Sequence, residues 1–272
     1  MTTTARIRIA ICVGMALLTA SASAEERKSP LDGQPAIRHR WEMRKGRFEL
    51  GPSVGFSINR ALRQAILVGA KLEYHLNDWL SLGADFGYGI NLDTGLTTEL
   101  KNQCEGTCMG PAYYPDGTEK SFDAHKERFS NIQLAGDVRV AFTPISGKMG
   151  LFSKLFVGYD LYAFAGLGLA LMSNKYDGPS EIDGITQGFR VGPAFGFGMH
   201  LFMTKYFSMG VEIKDIAFSD NESGGDLTRG LSDDELRDGT IKLDKDDKQF
   251  SNHWFVGINF TFFLPAGVEM SR

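Results

Sequence analysis

The sequence predicts an all-β chain: an eight-stranded antiparallel transmembrane up-and-down β-barrel. Three observations predict it. From Arg47 onward, apolar and polar residues alternate with period two through eight separate segments, which is the pattern of strands with one greasy face. The 272 residues include 32 glycines and 20 phenylalanines, yet the mean hydropathy is only −0.16, as expected where apolar and polar residues alternate along one strand. The connections between segments alternate between short and long, so one end of the structure is trimmed and the other elaborated. Apolar residues make up 43% of the chain, which excludes a disordered protein. After the first 24 residues no stretch approaches the ~18 consecutive apolar residues of a spanning helix.

Residues 1–24 read as a secretory signal peptide. Arg6 and Arg8 precede a twelve-residue apolar run, Ile9 to Ala20, and Ala22-Ser23-Ala24 supplies the small residues of a cleavage site. That run is too short to span a bilayer. Cys12 follows Ile11, where a lipoprotein signal would need a small residue. Cleavage after Ala24 removes both arginines and moves the net charge from −4 to −6. Residues 25–46 read as a polar periplasmic lead-in, 47–264 as the barrel and 265–272 as a C-terminal tail.

The first three segments share one design. Phe48, Leu50, Val54, Phe56 and Ile58 alternate with Glu49, Gly51, Ser53, Gly55 and Ser57. Ile66, Val68, Ala70, Leu72, Tyr74 and Leu76 oppose Gly69, Lys71, Glu73 and His75; Ala61 to Leu76 can also be read as an amphipathic helix. Leu80, Leu82, Ala84, Phe86, Tyr88 and Ile90 oppose Ser81, Gly83, Asp85, Gly87 and Gly89. The fourth segment sets Ile132, Leu134, Val138, Val140 and Phe142 against Asn131, Gln133, Asp137 and Arg139. In the fifth, Val157, Tyr159, Leu161, Ala163, Leu167 and Leu169 face away from Asp160, Tyr162, Phe164, Gly166 and Gly168. The last three set Val191 to Leu201 against Arg190 to His200, Met209, Val211 and Ile213 against Glu212 and Lys214, and Trp254 to Phe262 against His253 to Thr261. Short links are expected near Asn77-Asp78, over Thr143 to Gly150 and at Thr204-Lys205, with long polar ones over 93–128, 173–186 and 219–248; the link after the first segment, near Asn59 to Arg63, is the one short member of the long set.

Closure into a barrel follows from the solvent. In lipid every backbone amide must be paired internally, and a sheet achieves this only without edges. A soluble lipocalin-type barrel shows the same alternation with its greasy face inward. Long strands, aromatics near strand ends (Tyr74, Trp79, Tyr206, Phe207, Phe262) and the asymmetric connections favour the membrane.

Candidate sites follow from residue type and parity. The polar face carries Glu49, Lys71, Glu73, Asp85, Asp137, Arg139, Asp160, Arg190, Glu212 and Lys214, six acids and four bases. Opposite charges inside a narrow barrel should pair, because an unpaired buried charge is costly. An eight-stranded barrel is only just wide enough for its own side chains, so a filled interior is favoured over a pore. Gly166, Gly168, Gly192, Gly196 and Gly198 either hollow one side or receive Tyr162 and Phe164. Cys104 and Cys108 are expected to close a loop disulfide; a zinc half-site is the competing reading, but it has no second ligand pair. Ser251 and His253 share a face. The 219–248 loop holds ten acids and five bases; Asp244, Asp246 and Asp247 there lack the spacing of a calcium loop. No basic patch suggests nucleic acid, and no cofactor or metal is expected.

The stretch Arg47-Phe-Glu-Leu-Gly-Pro-Ser-Val-Gly and the stretch from Phe156 to Gly168 resemble a family of bacterial outer-membrane β-barrel domains of the OmpA/OmpX/OmpW-like class, over about Arg47 to Leu264. The resemblance implies a bacterial outer-membrane location, contact with outer-membrane lipid, and a monomer. Gly257-Ile-Asn-Phe260-Thr-Phe262 is similar to the final-strand signal read by the barrel-assembly machinery, although Leu264 to Arg272 follow it here. The Ser251 and His253 pair is similar to that of a lipid A deacylase in reversed order. Three functions are therefore in view: a non-enzymatic structural or surface-interaction barrel acting through its long loops, a narrow channel or carrier for small or hydrophobic molecules, and, last, a lipid-modifying enzyme.

Overall fold

The computed structural model describes residues 44–104, 122, 126–151, 155–175, 186–204, 206–225 and 245–265. The signal peptide, most of the lead-in, Cys108, residues 226–244 and all but the first residue of the tail lie outside the described residues. Eight strands form one closed antiparallel barrel in sequence order: β1 (Phe48–Ser57), β2 (Arg63–His75), β3 (Leu80–Asp93), β4 (Asn131–Leu151), β5 (Leu155–Ser173), β6 (Gly188–Phe202), β7 (Phe207–Asp220) and β8 (Gln249–Leu264). Pairing of β1 with β8, from Phe48↔Leu264 to Ser57↔Phe255, closes the ring. The termini of the barrel and the β2–β3, β4–β5 and β6–β7 connections share one end, here the turn end; the other connections share the loop end. Within Ala61 to Leu76 the chain is strand over Arg63–His75, not helix, because it is stitched to β3 from Arg63 to His75 and to β1 from Ile66 to Tyr74. The β3–β4 connection, which reads in the sequence as a long polar link, carries one short helix among its described residues, α1 (Gly95–Cys104).

The barrel is apolar outside and polar inside. Leu50, Val68, Leu72, Leu82, Val138, Val140, Val191 and Ile258 all lie on its outer wall and are exposed. At ~3.3 Å per residue and a tilt of ~45°, the outward residues from Leu80 to Leu92 rise roughly 28 Å along the axis, about the thickness of a hydrocarbon core. Trp79, Phe142 and Tyr206 mark the turn-end border of this band, with Trp79 packed edge-on against Phe142 at 5.7 Å; Tyr88, Phe189 and Phe250 mark its loop-end border. Crossing is by strands, and no helix among the described residues is long and apolar enough to span a membrane.

Strand β4 departs from the simple alternation twice. Its register against β5 shifts between Ile132 and Leu134 and again between Phe142 and Ile145. A bulge adds one residue to one strand and so reverses parity beyond it. Ile132 is accordingly buried in the interior and Gln133 exposed, whereas strict alternation puts Ile132 on the outer face. The segment Thr143 to Gly150 is likewise not a turn. It continues β4, paired with β5 out to Leu151↔Leu155, although β3 pairs no further than Leu80↔Phe142. The β4–β5 hairpin therefore extends past its β3 neighbour at the turn end.

Candidate functional site: a charged lumen beneath an apolar layer

Inward-facing residues of seven strands, β1 to β7, build a buried ionic network in two tiers. Near the turn end, β1 supplies Glu49, β2 supplies Lys71, Glu73 and His75, β5 supplies Asp160 and β6 supplies His200. Lys71 Nζ lies 3.0 Å from Glu73 and 3.4 Å from Glu49, while His75 Nε2 is 3.1 Å from the other Glu49 oxygen. His200 bridges the barrel, with Nδ1 3.0 Å from Asp160 and Nε2 3.1 Å from Lys71. With its proton on Nδ1 the ring donates to Asp160 and accepts from Lys71. Thr261 donates to Glu49 at 2.9 Å, and Ser81 donates to Glu73. Arg44 completes the tier from outside the strands. Its main-chain N–H and guanidinium bind Asp78 in the β2–β3 turn, and Nη1 reaches Asp160 at 2.5 Å.

The second tier centres on Arg139 of β4. Its guanidinium chelates Asp137 and meets Glu212 of β7 at 2.5 Å. It lies 3.9 Å from the Phe164 ring centroid, a cation–π contact that covers one guanidinium face. Lys214 Nζ is 2.9 Å from Asp85 and 3.0 Å from Asp137, and Ser53 donates to Asp85 at 2.8 Å. Tyr162 joins the tiers: its hydroxyl donates to Glu212 at 2.8 Å and its ring stacks on His200 at 4.5 Å. Room for these rings comes from β6. A Cβ at Gly198 would lie 2.5 Å from Tyr162 ring atoms, and one at Gly196 would lie 2.6 Å from Phe164. These glycines receive the aromatics rather than hollowing the barrel.

Nine of the ten charged residues expected from parity fall in these two tiers. Arg190 does not. It sits near the loop end of β6 and donates to the carbonyl of Gln187 at 2.9 Å, because its strand position lies above the charged levels. Arg44, His75, Tyr162 and His200 complete the network. The last three sit on the polar parity and are legible as lining residues. Nothing in the sequence around Arg44 marks it, since its place depends on how the lead-in returns over the β2–β3 turn.

Above the ionic tiers the lumen turns apolar. Leu67, Ile132, Met172, Ile216, Phe218 and Phe255 are all at most 3% exposed and pack together across the interior. Between this layer and the Asp85–Lys214 pair a cavity of about 20 Å³ remains, the size of one water. At the loop end, Arg60 donates to the Ser130 carbonyl at 2.7 Å and lies 3.4 Å from Asp220. Glu222 accepts the main-chain N–H groups of Ala61, Leu62 and Arg63 and so pins the β1–β2 connection. His253 is buried, stacks on Phe218 at 3.8 Å and faces Asp220 at 3.7 Å, whereas Ser251 is exposed. The serine bonded to Asp220 is Ser130, at 2.7 Å; among the described residues no hydrogen bond joins His253 to a serine.

The remaining candidates are placed as follows. Cys104 ends α1, and its expected partner Cys108 lies outside the described residues. Asp246 and Asp247 form a 3₁₀ turn before β8, and Asp244 lies outside the described residues. Glu49, Glu73 and His75 are close enough to share a metal ion, but the Lys71 ammonium between the two carboxylates supplies their counter-charge. Of the final-strand residues, Phe260 and Phe262 point outward and stack beside Phe207 at 6.2 and 5.2 Å, while Gly257 opposes Gly55 across the closing seam.

A closed ring of eight antiparallel strands, apolar outside, ionic inside and with its longer connections at one end, defines a transmembrane β-barrel of the outer-membrane type. No family model and no curated protein matches the sequence. Among solved structures the chain is similar to the N-terminal β-barrel domain of Pseudomonas aeruginosa OprF, at 12% identity over 81% of this chain and 98% of that one, with a TM-score of 0.42. It is also similar to the P. aeruginosa outer-membrane protein OprG, at 10% identity over 82% and 98% with a TM-score of 0.41. A third likeness is to Ail, the attachment invasion locus protein of Yersinia pestis, at 10% identity over 81% and 99% with a TM-score of 0.33.

Proposed function

We propose that this chain is a monomeric bacterial outer-membrane barrel whose lumen is closed, and whose role is structural or is surface interaction through the loop-end connections. The observation that carries this reading is the filled interior. Ionic tiers lie beneath an apolar layer that crosses the lumen, and the cavity between them is about 20 Å³. A conduit for ions or solutes would need a continuous hydrated path, and the Leu67, Ile216 and Phe255 side chains fill the lumen above the ionic tiers. The short-turn end then faces the periplasm and the longer connections the exterior. Outer-membrane lipid is its surroundings, and the barrel-assembly machinery its partner during insertion through the β8 signal. Planar-bilayer recording of the purified protein is the test. The expected result is an unbroken baseline; reproducible conductance steps overturn the closed-lumen reading in favour of a narrow channel. A lipid-modifying role through His253 is not favoured, and altered lipid A in cells overproducing the protein would revive it.

A further inference from the structure

The barrel wall parts at the loop end between β3 and β4, and the gap is charged. The ladder between these strands ends at Tyr88↔Leu134, although β3 runs on to Asp93. Above that level the Asn91 side chain replaces the ladder, accepting from the Ile132 N–H at 3.1 Å and donating to its carbonyl at 2.8 Å. Alongside lies a cleft of about 470 Å³ lined by Arg63, Asp93, Lys126 and Lys175. Three cations face one carboxylate there, in a chain whose net charge is −4. Asp93 is already shared, at 2.5 Å from Lys126 and 3.1 Å from Arg63. Lys175 is exposed and has no ion-pair partner among the described residues. The lower wall of the same cleft is the lipid-facing surface, with Tyr88 59% and Leu92 50% exposed.

We infer that this cleft is a binding site for a phosphorylated lipid headgroup of the surrounding leaflet, with the phosphate on Lys126 and Lys175 and the first acyl carbons against Tyr88 and Leu92. The chemistry fits the placement. A cation pair at the border of the apolar band meets phosphate where headgroups lie, and charge-assisted hydrogen bonds to phosphate are strong at a partly desolvated site. The cleft's excess positive charge comes from three different elements: β2, the segment before β4, and the segment after β5. It therefore exists only in the assembled barrel. This inference rests on the chain spanning a bilayer, but not on whether its lumen conducts.

The test uses the full-length protein folded in detergent micelles, with folding checked separately by the electrophoretic shift on boiling. Native mass spectrometry then counts bound lipid during titration with a bis-phosphorylated lipid A, its dephosphorylated form, and inorganic pyrophosphate as competitor. The wild type should retain the phosphorylated lipid about tenfold better than the dephosphorylated one, and K126A/K175A should lose that preference while still shifting on boiling. D93N, which removes the competing carboxylate, should raise retention. Equal retention of both lipids by the wild type, an unchanged preference in K126A/K175A, or no gain in D93N overturns the inference. Displacement by millimolar pyrophosphate without an acyl-chain dependence would assign the site to a free anion and overturn the lipid part. Failure to shift on boiling would instead count against the barrel reading itself.

Discussion

Replacing Arg139 by methionine tests the idea that the lumen is held by paired charges rather than by polar filling of any kind. Arg139 touches Asp137, Glu212 and Asp85, the last at 3.5 Å, and covers Phe164. Methionine keeps much of the stem and its contact with the ring but removes the cation. Three carboxylates then share one ammonium, Lys214, which reaches Asp85 and Asp137 but makes no direct contact with Glu212. Glu212 keeps only the Tyr162 hydroxyl. Breaking one partner out of a buried ionic cluster costs about 3–5 kcal/mol, and the expectation here is a loss in that range. The assay is urea unfolding in lipid vesicles, followed by tryptophan fluorescence and by the shift on boiling. Adding Glu212→Gln to Arg139→Met removes the stranded charge and should restore about half of the loss, so the two changes couple rather than add. A loss below about 1 kcal/mol for Arg139→Met, or simple additivity in the double variant, would refute the account.

The other predictions concern the barrel wall. Gly198→Val places a Cβ 2.5 Å from the Tyr162 ring and should destabilise by about 1–3 kcal/mol through overpacking. Gly257→Ala meets nothing closer than 3.5 Å, so the same unfolding assay should find it neutral or slightly stabilising; equal losses for the two would undercut the cradle argument. Asn91→Leu deletes both hydrogen bonds to Ile132, and leaving those main-chain groups unpaired should cost about 1–3 kcal/mol. Amide exchange at Ile132 should accelerate there while exchange at Val138 stays unchanged, and equal protection at Ile132 in both proteins would show that Asn91 does not stitch the seam.

The lumen's membership was largely readable from parity. Glu49, Lys71, Glu73, Asp85, Asp137, Arg139, Asp160, Glu212 and Lys214 all sit on the polar alternation, and the pleat alone sends them inward once the apolar face is turned to lipid. Two errors on β4 have one cause. The bulges near Gln133 and Phe142 leave no mark in hydrophobic periodicity, so parity alone puts Ile132 on the outer face and reads Thr143 to Gly150 as a turn. The apolar layer was also hidden. Leu67, Ile132, Ile216 and Phe255 come from four strands, and only closure of the ring brings them to one level.

What the sequence by itself determined is whatever a single strand decides locally: the period of two, the number of strands, and which side chains share a face. Tertiary structure decided who meets whom. That Lys71 sits between Glu49 and Glu73, that His200 reaches across the barrel to Lys71, and that Arg44 closes the turn end all depend on register, stagger and the return of a segment outside the strands. These are long-range quantities, set when eight strands close on one another, and no local pattern of residues encodes them.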